Sequence, residues 1–459
     1  MSKKNKRNLI IIISLSVLIV AAIIIGMFTQ SLYADNNISV NADKFKKYIP
    51  YGVAPSPNTG KDVITVETGN PSLLIETGKD GAITNQGINA NIAFINGKES
   101  NYISGLYNGS CIIKDFNDIV ISPDKGSYEI TLPGPEDLLR MNTGKDWLIL
   151  SLDNDKSMLR TYAGLELSRL LGAYYTPDVR FIELFVNGSY EGTYMLCEKV
   201  EMDGNRLNIS KAKPGKITGS ALTGGYLMKT DSSSAVKGNT EESAPGKNFY
   251  FSMDNAYILP GAAENSRLKF RQTKNLSNEQ FTYIKQYMKT AEKALFSENF
   301  NTPGSDDAYY NYFSINNIIS WYINEEIFKN PNDPNYITTY LYKERDGGVS
   351  FGPVWYFGFG AGNSDFKNAA DIKGWYVRRN SWVARMFEDE RFKELFNSKW
   401  AEIKDNIKDS LFAKIDAGAV QLAESVRYSS ISEADHNNEV KNLKDWLSQR
   451  IDWMNENNV

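Results

Sequence analysis

The chain has 459 residues, of which 42% are hydrophobic and 23% are charged, which is typical of a globular protein. Its formal net charge of −4 gives no basic surface of the kind that binds nucleic acid, so no nucleic-acid partner is expected. A single histidine, His436, excludes a zinc site with two or three histidines, and its polar surroundings predict a solvated position. The two cysteines, Cys111 and Cys197, lie in apolar runs and are compatible with two buried thiols or with one disulfide.

The N-terminus sets the expected compartment. Residues 1–8 carry four cations, and residues 9–28 form a predominantly apolar run. Twenty helical residues span the roughly 30 Å hydrocarbon core of a bilayer, and the cations favour a cytoplasmic tail. We therefore expect one transmembrane anchor at the cell membrane with the main domain extracytoplasmic. A cleaved signal peptide, ending at Ala34, is the alternative. The polar residues 29–62 predict a flexible linker.

Strands dominate the next part of the chain. Short β-branched runs separated by Gly, Asn and Asp predict strands from residue 63 to about 132. Further on, the dipeptide Asn187-Gly188 stands between two apolar runs, which is the strongest short signal for a β-hairpin. A β-rich part is thus predicted over about 63–245.

Helical spacing of apolar residues predicts a helix over 157–171 and a mostly helical part over about 277–459. Asp155 and Arg160 flank the start of the first helix and are expected to form a structural ion pair. Further helices are predicted over 281–295, 309–328, 382–387, 392–407 and 440–454, with a second hairpin over 340–355. This order predicts an α+β fold with a β-rich N-lobe and an α-rich C-lobe, and a cleft between lobes is the default ligand site.

Several short segments resemble, in consistent order, those of the CotH kinase family of spore-coat proteins. They are residues 146–150, 155–160, 175–177, 186–194, 198–201, 224–227, 326–330, 339–343 and 352–355. The resemblance runs from about residue 110 to 405. It implies an atypical protein-kinase fold over 63–459 that transfers phosphate from ATP, with Mg or Mn, to Ser or Thr of surface or spore-coat proteins.

The chain departs from the family pattern where that pattern places its carboxylates. After 352–355 the family has Asp-x-Asp, and this chain has Tyr356 and Gly358 instead. In the preceding motif the expected Asp is Asn332, with Asp333 one residue later. Magnesium prefers carboxylate oxygens, and neither a tyrosine nor a glycine supplies one.

Comparison with the family pattern also singles out candidate site residues, of which Asp333 and Asp365 are shifted replacements that could instead be a turn residue and a loop cap. The candidates are Asn332 and Asp333 for catalysis, Asp333 and Asp365 as metal ligands, and Glu198, Lys229 and Glu326 for cofactor binding.

Two functions follow from these residues. The first is a pseudokinase or weak kinase that serves as a binding module in cell-surface or spore-coat assembly. The second is an active Ser/Thr protein kinase that binds ATP and metal through the shifted ligands Asp333 and Asp365. A carbohydrate-active enzyme with paired acids is a third class, but adjacent acids such as Glu325-Glu326 point to different faces of a helix.

Overall fold

The computed structural model describes most of the chain beyond residue 41. The described residues are 42–45, 47–54, 63–78, 81–98, 100, 102, 104–117, 125–210, 218–231, 250–252, 267–270, 276–331, 339–366 and 368–457. The predicted tail and anchor, residues 1–28, lie outside this set. Within it, no helix combines the length and the apolar character needed to cross a bilayer.

Strands and helices segregate along the described part of the chain. The strands are β1 (Tyr48–Pro50), β2 (Ile64–Val66), β3 (Ser72–Thr77), β4 (Ile88–Ile95), β5 (Asn108–Asp115), β6 (Tyr128–Glu136), β7 (Gly144–Ser151), β8 (Val179–Val186), β9 (Ser189–Glu198), β10 (Tyr226–Asp231), β11 (Tyr250–Ser252), β12 (Arg267–Phe270), β13 (Tyr340–Lys343) and β14 (Val349–Phe351). The helices are α1 (Arg160–Leu170), α2 (Ser220–Thr223), α3 (Asn278–Leu295), α4 (Ile315–Phe328), α5 (Ser381–Met386), α6 (Glu390–Ile403), α7 (Ile407–Leu422) and α8 (Glu433–Glu456). The predicted mixture of a strand-rich and a helix-rich part is confirmed.

Strands β3 to β9 form a closed barrel in the order β3-β4-β5-β6-β7-β9-β8. The neighbours pair antiparallel except β3 and β8, whose parallel pairing closes the barrel. Apolar side chains such as Phe94, Trp147 and Leu196 fill the interior. The barrel is therefore a closed sheet without free edges around a packed apolar core.

The two cysteines lie on opposite sides of the barrel wall. Cys111 belongs to the interior core, and Cys197 belongs to the core outside the barrel. Both are buried, free thiols. The structure thus has two buried thiols and no disulfide between them.

The hairpin predicted at Asn187-Gly188 is confirmed as the turn between β8 and β9. Asn187 has φ 50° and Gly188 has φ 77°, both in the left-handed region that a two-residue hairpin turn of the primed type requires. A Cβ on Gly188 would also lie 2.3 Å from the carbonyl oxygen of Lys44. This contact brings the segment before β1 against the barrel.

The predicted flexible linker over 29–62 is wrong for its described residues. Strand β1 pairs in parallel with β2, and Phe45 and Ile49 are buried against Phe185 of the barrel. The ring of Phe45 meets that of Phe185 edge-on at 5.7 Å. Two apolar residues in a polar stretch are too weak a periodic signal to predict this docking.

Helix α1 lies between the barrel and the helical part. The ring centroid of Tyr162 in α1 lies 5.6 Å from that of Phe181, on the outer face of β8. On its other sides α1 packs against α4 and α7. A Cβ on Gly164, in mid-helix, would lie 2.2 Å from the ring of Phe357, so this glycine allows the 351–358 segment to approach.

The second sheet has the order β11-β12-β10-β13-β14, and the predicted hairpin over 340–355 forms its β13–β14 edge. This sheet explains why the helix predicted over 309–328 begins only at Ile315. Ser314 donates its N–H to the Val349 carbonyl, and Val349 donates to the Tyr312 carbonyl. Tertiary pairing with β14 thus replaces the first turns of the predicted helix.

The helix predicted over 392–407 ends at Ile403. Helix α7, which was not predicted, follows it. Its buried residues Leu411, Ile415, Gly418 and Leu422 keep helical spacing. That pattern was therefore available in the sequence.

A buried carboxylate joins three distant parts of the chain. Glu183 on β8 is fully buried and accepts hydrogen bonds from four neutral hydroxyls. The donors are Thr68 at 3.0 Å, Ser425 at 2.5 Å, Tyr190 at 2.6 Å and Thr193 at 3.2 Å. A buried charge persists only when such bonds satisfy it.

Replacing Glu183 with Ala should lower the free energy of unfolding by about 3 kcal/mol, because four buried hydroxyls lose their acceptor. Urea unfolding at neutral pH measures this change. The matched control is Glu136→Ala, which removes an exposed carboxylate at the end of β6. A loss below about 1 kcal/mol for Glu183→Ala would show that the network adds little to stability.

Candidate functional site

The start of α1 is held by an acidic side chain. Asp155 accepts hydrogen bonds from the backbone N–H of Ser157 at 2.9 Å and of Arg160 at 2.8 Å. It also pairs with the Arg160 guanidinium at 2.5 Å, and Arg160 reaches Glu439 of α8 at 2.6 Å. Asp155 and Arg160 are both buried. The predicted structural ion pair is confirmed, and it links the start of α1 to α8.

The prediction that His436 is solvated is wrong. His436 is 2% exposed, and its Nδ1 lies 3.2 Å from the carbonyl oxygen of Lys156. Burial lowers the pKa of the imidazole below its usual value. The polar sequence around it is the first turn of α8, which Ser432 caps, and this turn packs over the loop that begins α1.

The segment that replaces the family's Asp-x-Asp is buried and fully engaged. Tyr356 is 3% exposed, and its hydroxyl donates to the Asn154 side chain at 3.1 Å. Burial raises the pKa of Tyr356, so the phenol is neutral. The Asn363 amide donates to the carbonyls of Asn154 at 2.7 Å and Gly358 at 2.8 Å. These bonds join the loop before α1 to both ends of this segment.

Gly358 has no room for a side chain. A Cβ there would lie 2.3 Å from the Tyr356 hydroxyl and 2.8 Å from the amide nitrogen of Asn154. The phenol therefore occupies the space into which a residue at 358 would project. A neutral phenol and an amide donor line this space, and neither supplies the anionic oxygen that a divalent cation prefers. The two departures from the family pattern are physically coupled.

The segment 326–330 acts as a structural hub. Glu326 and Arg450 are both fully buried and pair at 2.7 Å. Glu326 also accepts the N–H groups of Tyr376 at 2.6 Å and Arg378 at 2.9 Å. These bonds satisfy the buried Glu326 carboxylate without a cofactor, whereas the sequence motifs indicated a role in cofactor binding.

Lys329 and Asn330, in the same segment, donate hydrogen bonds to backbone carbonyls of neighbouring segments. Lys329 adopts φ 43° at the end of α4 and donates to the carbonyls of Asp371 at 2.7 Å and Lys373 at 2.8 Å. Burial, reinforced by the nearby Arg450, lowers the pKa of Lys329 to about 8. Asn330 donates to the Tyr356 carbonyl at 2.9 Å, so the hub also positions the tyrosine.

Glu198 lies at the other end of α1 from Tyr356. It is fully buried and accepts hydrogen bonds from Asn142 N–H at 2.7 Å, Tyr175 hydroxyl at 2.8 Å and Asp178 N–H at 3.0 Å. Tyr175 follows the C-terminus of α1, whereas Asn154 precedes its N-terminus. The 11 residues of α1 span about 16 Å. The structure therefore does not bring Glu198 to the Tyr356 segment.

The remaining predicted residues are dispersed. Lys229 is buried in β10, opposite Tyr340 in the register with β13. Asp365 is exposed, two residues after Asn363. Asn332 and Asp333 lie outside the described residues. Over the described part of the chain, no group of three or more His, Cys, Asp or Glu side chains is arranged to hold a metal ion.

The comparisons with known proteins agree with the sequence motifs. The sequence model of the family described as CotH kinase protein matches residues 121–454. No curated protein matches the chain significantly. Among solved structures, the chain is similar to the one titled "Crystal structure of the golgi casein kinase", at 8% identity, covering 86% of this chain and 76% of that chain. The TM-score of 0.27 is too low to establish a shared fold.

The coupling of Tyr356 and Gly358 can be measured directly. Gly358→Ala should lower the free energy of unfolding by about 2 kcal/mol, because its Cβ overlaps the phenol. In a Tyr356→Leu background the same change should cost at least about 1 kcal/mol less, since the hydroxyl and ring edge are gone.

Urea unfolding of the four proteins of this double-mutant cycle gives the coupling. The control is Gly204→Ala, where a Cβ meets no atom within 4 Å. Equal costs of Gly358→Ala in both backgrounds would show that the phenol does not fill this space.

Proposed function

Because the chain belongs to the CotH kinase family, we propose that it is an extracytoplasmic, membrane-anchored pseudokinase. In this proposal the family's domain is kept as a binding module in cell-surface or spore-coat assembly. Its partners are surface or coat proteins, and the anchor is residues 9–28. ATP with Mg or Mn would be a ligand only if activity is retained.

The packing of Tyr356 over Gly358 carries this proposal. Phosphoryl transfer depends on metal ions that neutralise the phosphate charge and on a residue that orients the nucleophile. At the position where the family has two carboxylates, this chain has a buried neutral phenol and a glycine without space for a side chain. The residues at this position do not fit a divalent cation.

An active kinase with shifted ligands is the second candidate. Asp365 supports it, because this carboxylate is exposed in the loop that Asn363 ties to the Gly358 carbonyl. Asp333 would have to supply the second carboxylate, and Asn332 could act only as a neutral ligand. The two candidates differ in whether the chain binds Mg-ATP.

We expect no change in melting temperature when Mg-ATP or Mn-ATP is added to the full-length protein. A ligand at 100 times its dissociation constant stabilises a protein by about 2.7 kcal/mol, which a thermal shift detects readily. A CotH-family protein that retains Asp-x-Asp, assayed in parallel, is the positive control. Labelled ATP mixed with surface proteins provides a second readout, and no phosphorylated product is expected.

A clear thermal shift would contradict the pseudokinase proposal and favour the active kinase. In that case Asp333→Ala and Asp365→Ala should each abolish the shift. Glu136→Ala, which removes an exposed carboxylate elsewhere, should leave it unchanged. A shift that survives both aspartate substitutions would show that other residues bind the metal.

The membrane anchor predicts where the domain is found. In intact cells stripped of their outer envelope, added protease should digest the domain, and the full-length chain should fractionate with membranes. Replacing the four cations of residues 1–8 with neutral residues should lower the fraction of molecules whose domain the protease can digest. A released protein whose N-terminus follows Ala34 would instead establish a cleaved signal peptide.

A further inference from the structure

A groove of about 790 Å³ lies at the C-terminal end of α1, away from the Tyr356 segment. It is bordered by the loop after α1, the start of α4, strands β13 and β14, and α6. Its lining includes Tyr174, Asn317, Tyr342, Glu344 and Glu402. The candidate site described above uses none of these residues.

Tyr174 forms an exposed aromatic platform in this groove. It is 60% exposed, which is unusual for a large aromatic side chain in this structure. Its hydroxyl donates to the Asn208 carbonyl at 2.7 Å, so the ring is held in place. The ring of Tyr342 lies 6.5 Å away at an angle of 30°. A fixed flat ring binds a partner with little loss of side-chain entropy.

A small niche of about 30 Å³ adjoins the groove and shares Tyr174 and Asn317 with it. This volume suits a single hydroxyl group or water. Asn324 lines the niche, is 1% exposed, and donates its amide to the Gly164 carbonyl at 3.2 Å. Its Oδ1 has no hydrogen-bond partner among the described residues. A buried acceptor of this kind is commonly satisfied by an ordered water, for which the niche has room.

The other polar groups of the groove include both donors and acceptors. Ser320 and Asn317 contribute a hydroxyl and an amide, and Glu344 contributes a carboxylate that accepts from the Ser210 N–H at 3.2 Å. Among the described residues that line the groove, the one ammonium, that of Lys399, is paired with Glu402 at 3.2 Å. This described lining thus has no unpaired cation that would select a phosphate. Sugar hydroxyls act as donors and acceptors at once, as this lining requires.

We infer that this groove binds a polyhydroxylated ring, that is, an oligosaccharide. The apolar face of a sugar ring would lie on Tyr174, and its hydroxyls would meet the polar side chains that line the groove, such as Ser320 and Glu344. This assignment does not depend on whether the chain binds ATP. It requires no hydrolysis, and binding alone is proposed.

An extended peptide fits this groove less well. Peptides commonly add to the open edge of a sheet, and β14 is the edge strand here. Its outward backbone groups are already occupied. Val349 exchanges hydrogen bonds with Tyr312 and Ser314, and Phe351 donates its N–H to the Asn317 side chain at 2.8 Å. No strand can be added there without breaking these bonds.

Isothermal titration of the full-length protein with cellotetraose, chitotetraose and maltotetraose tests the assignment. The detergent must lack a sugar head group. At least one oligosaccharide should bind with a dissociation constant of about 1 mM or lower. Tyr174→Ala should weaken this binding about tenfold or more, because the stacking surface is lost. Ser320→Trp, which fills the groove, should abolish it.

Tyr174→Phe keeps the ring but removes its hydrogen bond to Asn208, so it should weaken binding clearly less than Tyr174→Ala does. Tyr51→Ala removes a half-buried tyrosine outside the groove and should have no effect. Because Tyr174 is exposed, its substitutions should leave the melting temperature unchanged.

Three results would overturn the inference. The first is no binding of any of the three oligosaccharides. The second is binding that Tyr174→Ala leaves unchanged. The third is binding of unstructured peptides, lost in Tyr174→Ala, without sugar binding, which would assign the groove to a protein partner.

Discussion

The ion pair between Asp155 and Arg160 fixes α1, the helix against which the Tyr356 segment and the groove lie. A buried pair of this kind contributes little net stability, but removing one partner leaves an unpaired buried charge. Asp155 also accepts two backbone N–H groups at the start of α1, and Arg160 extends to Glu439 of α8. The pair therefore holds α1 in one position between barrel and helices. The Tyr356 segment packs at its N-terminal end, and the groove opens at its C-terminal end.

The motifs shared with the family prove to be mostly architectural in this chain. Glu326 is enclosed by Arg450 and two backbone N–H groups, and Glu198 is enclosed by three donors. Asn330 holds the Tyr356 carbonyl. Such residues stay the same while chemistry changes, because replacing one leaves several buried groups without partners. The described motif residues Glu326, Glu198 and Asn330 thus support the scaffold of this chain.

The sequence predicted those features that local rules determine. The turn at Asn187-Gly188 needs only two residues with positive φ, and the Asp155–Arg160 pair joins residues only five apart at the start of α1. Features that depend on distant contacts were missed. His436 is buried because α8 packs on a loop some 280 residues away in the chain, and Phe45 is buried because it meets Phe185. Similarly, Tyr356 and Gly358 were visible as departures, but their mutual packing was not.

The packing of Tyr356 against Gly358 makes these two departures from the family pattern depend on each other. A carboxylate at 358 cannot coexist with the phenol of Tyr356, whose hydroxyl would lie 2.3 Å from the added Cβ. Conversely, with Gly358 in place, a small side chain at 356 would leave a cavity beside Asn154, at a cost that grows with its volume. Tyr356 and Gly358 therefore favour each other. A carboxylate at only one of these two positions is expected to destabilise the fold. With the phenol in place, a carboxylate at 358 therefore requires both positions to change together.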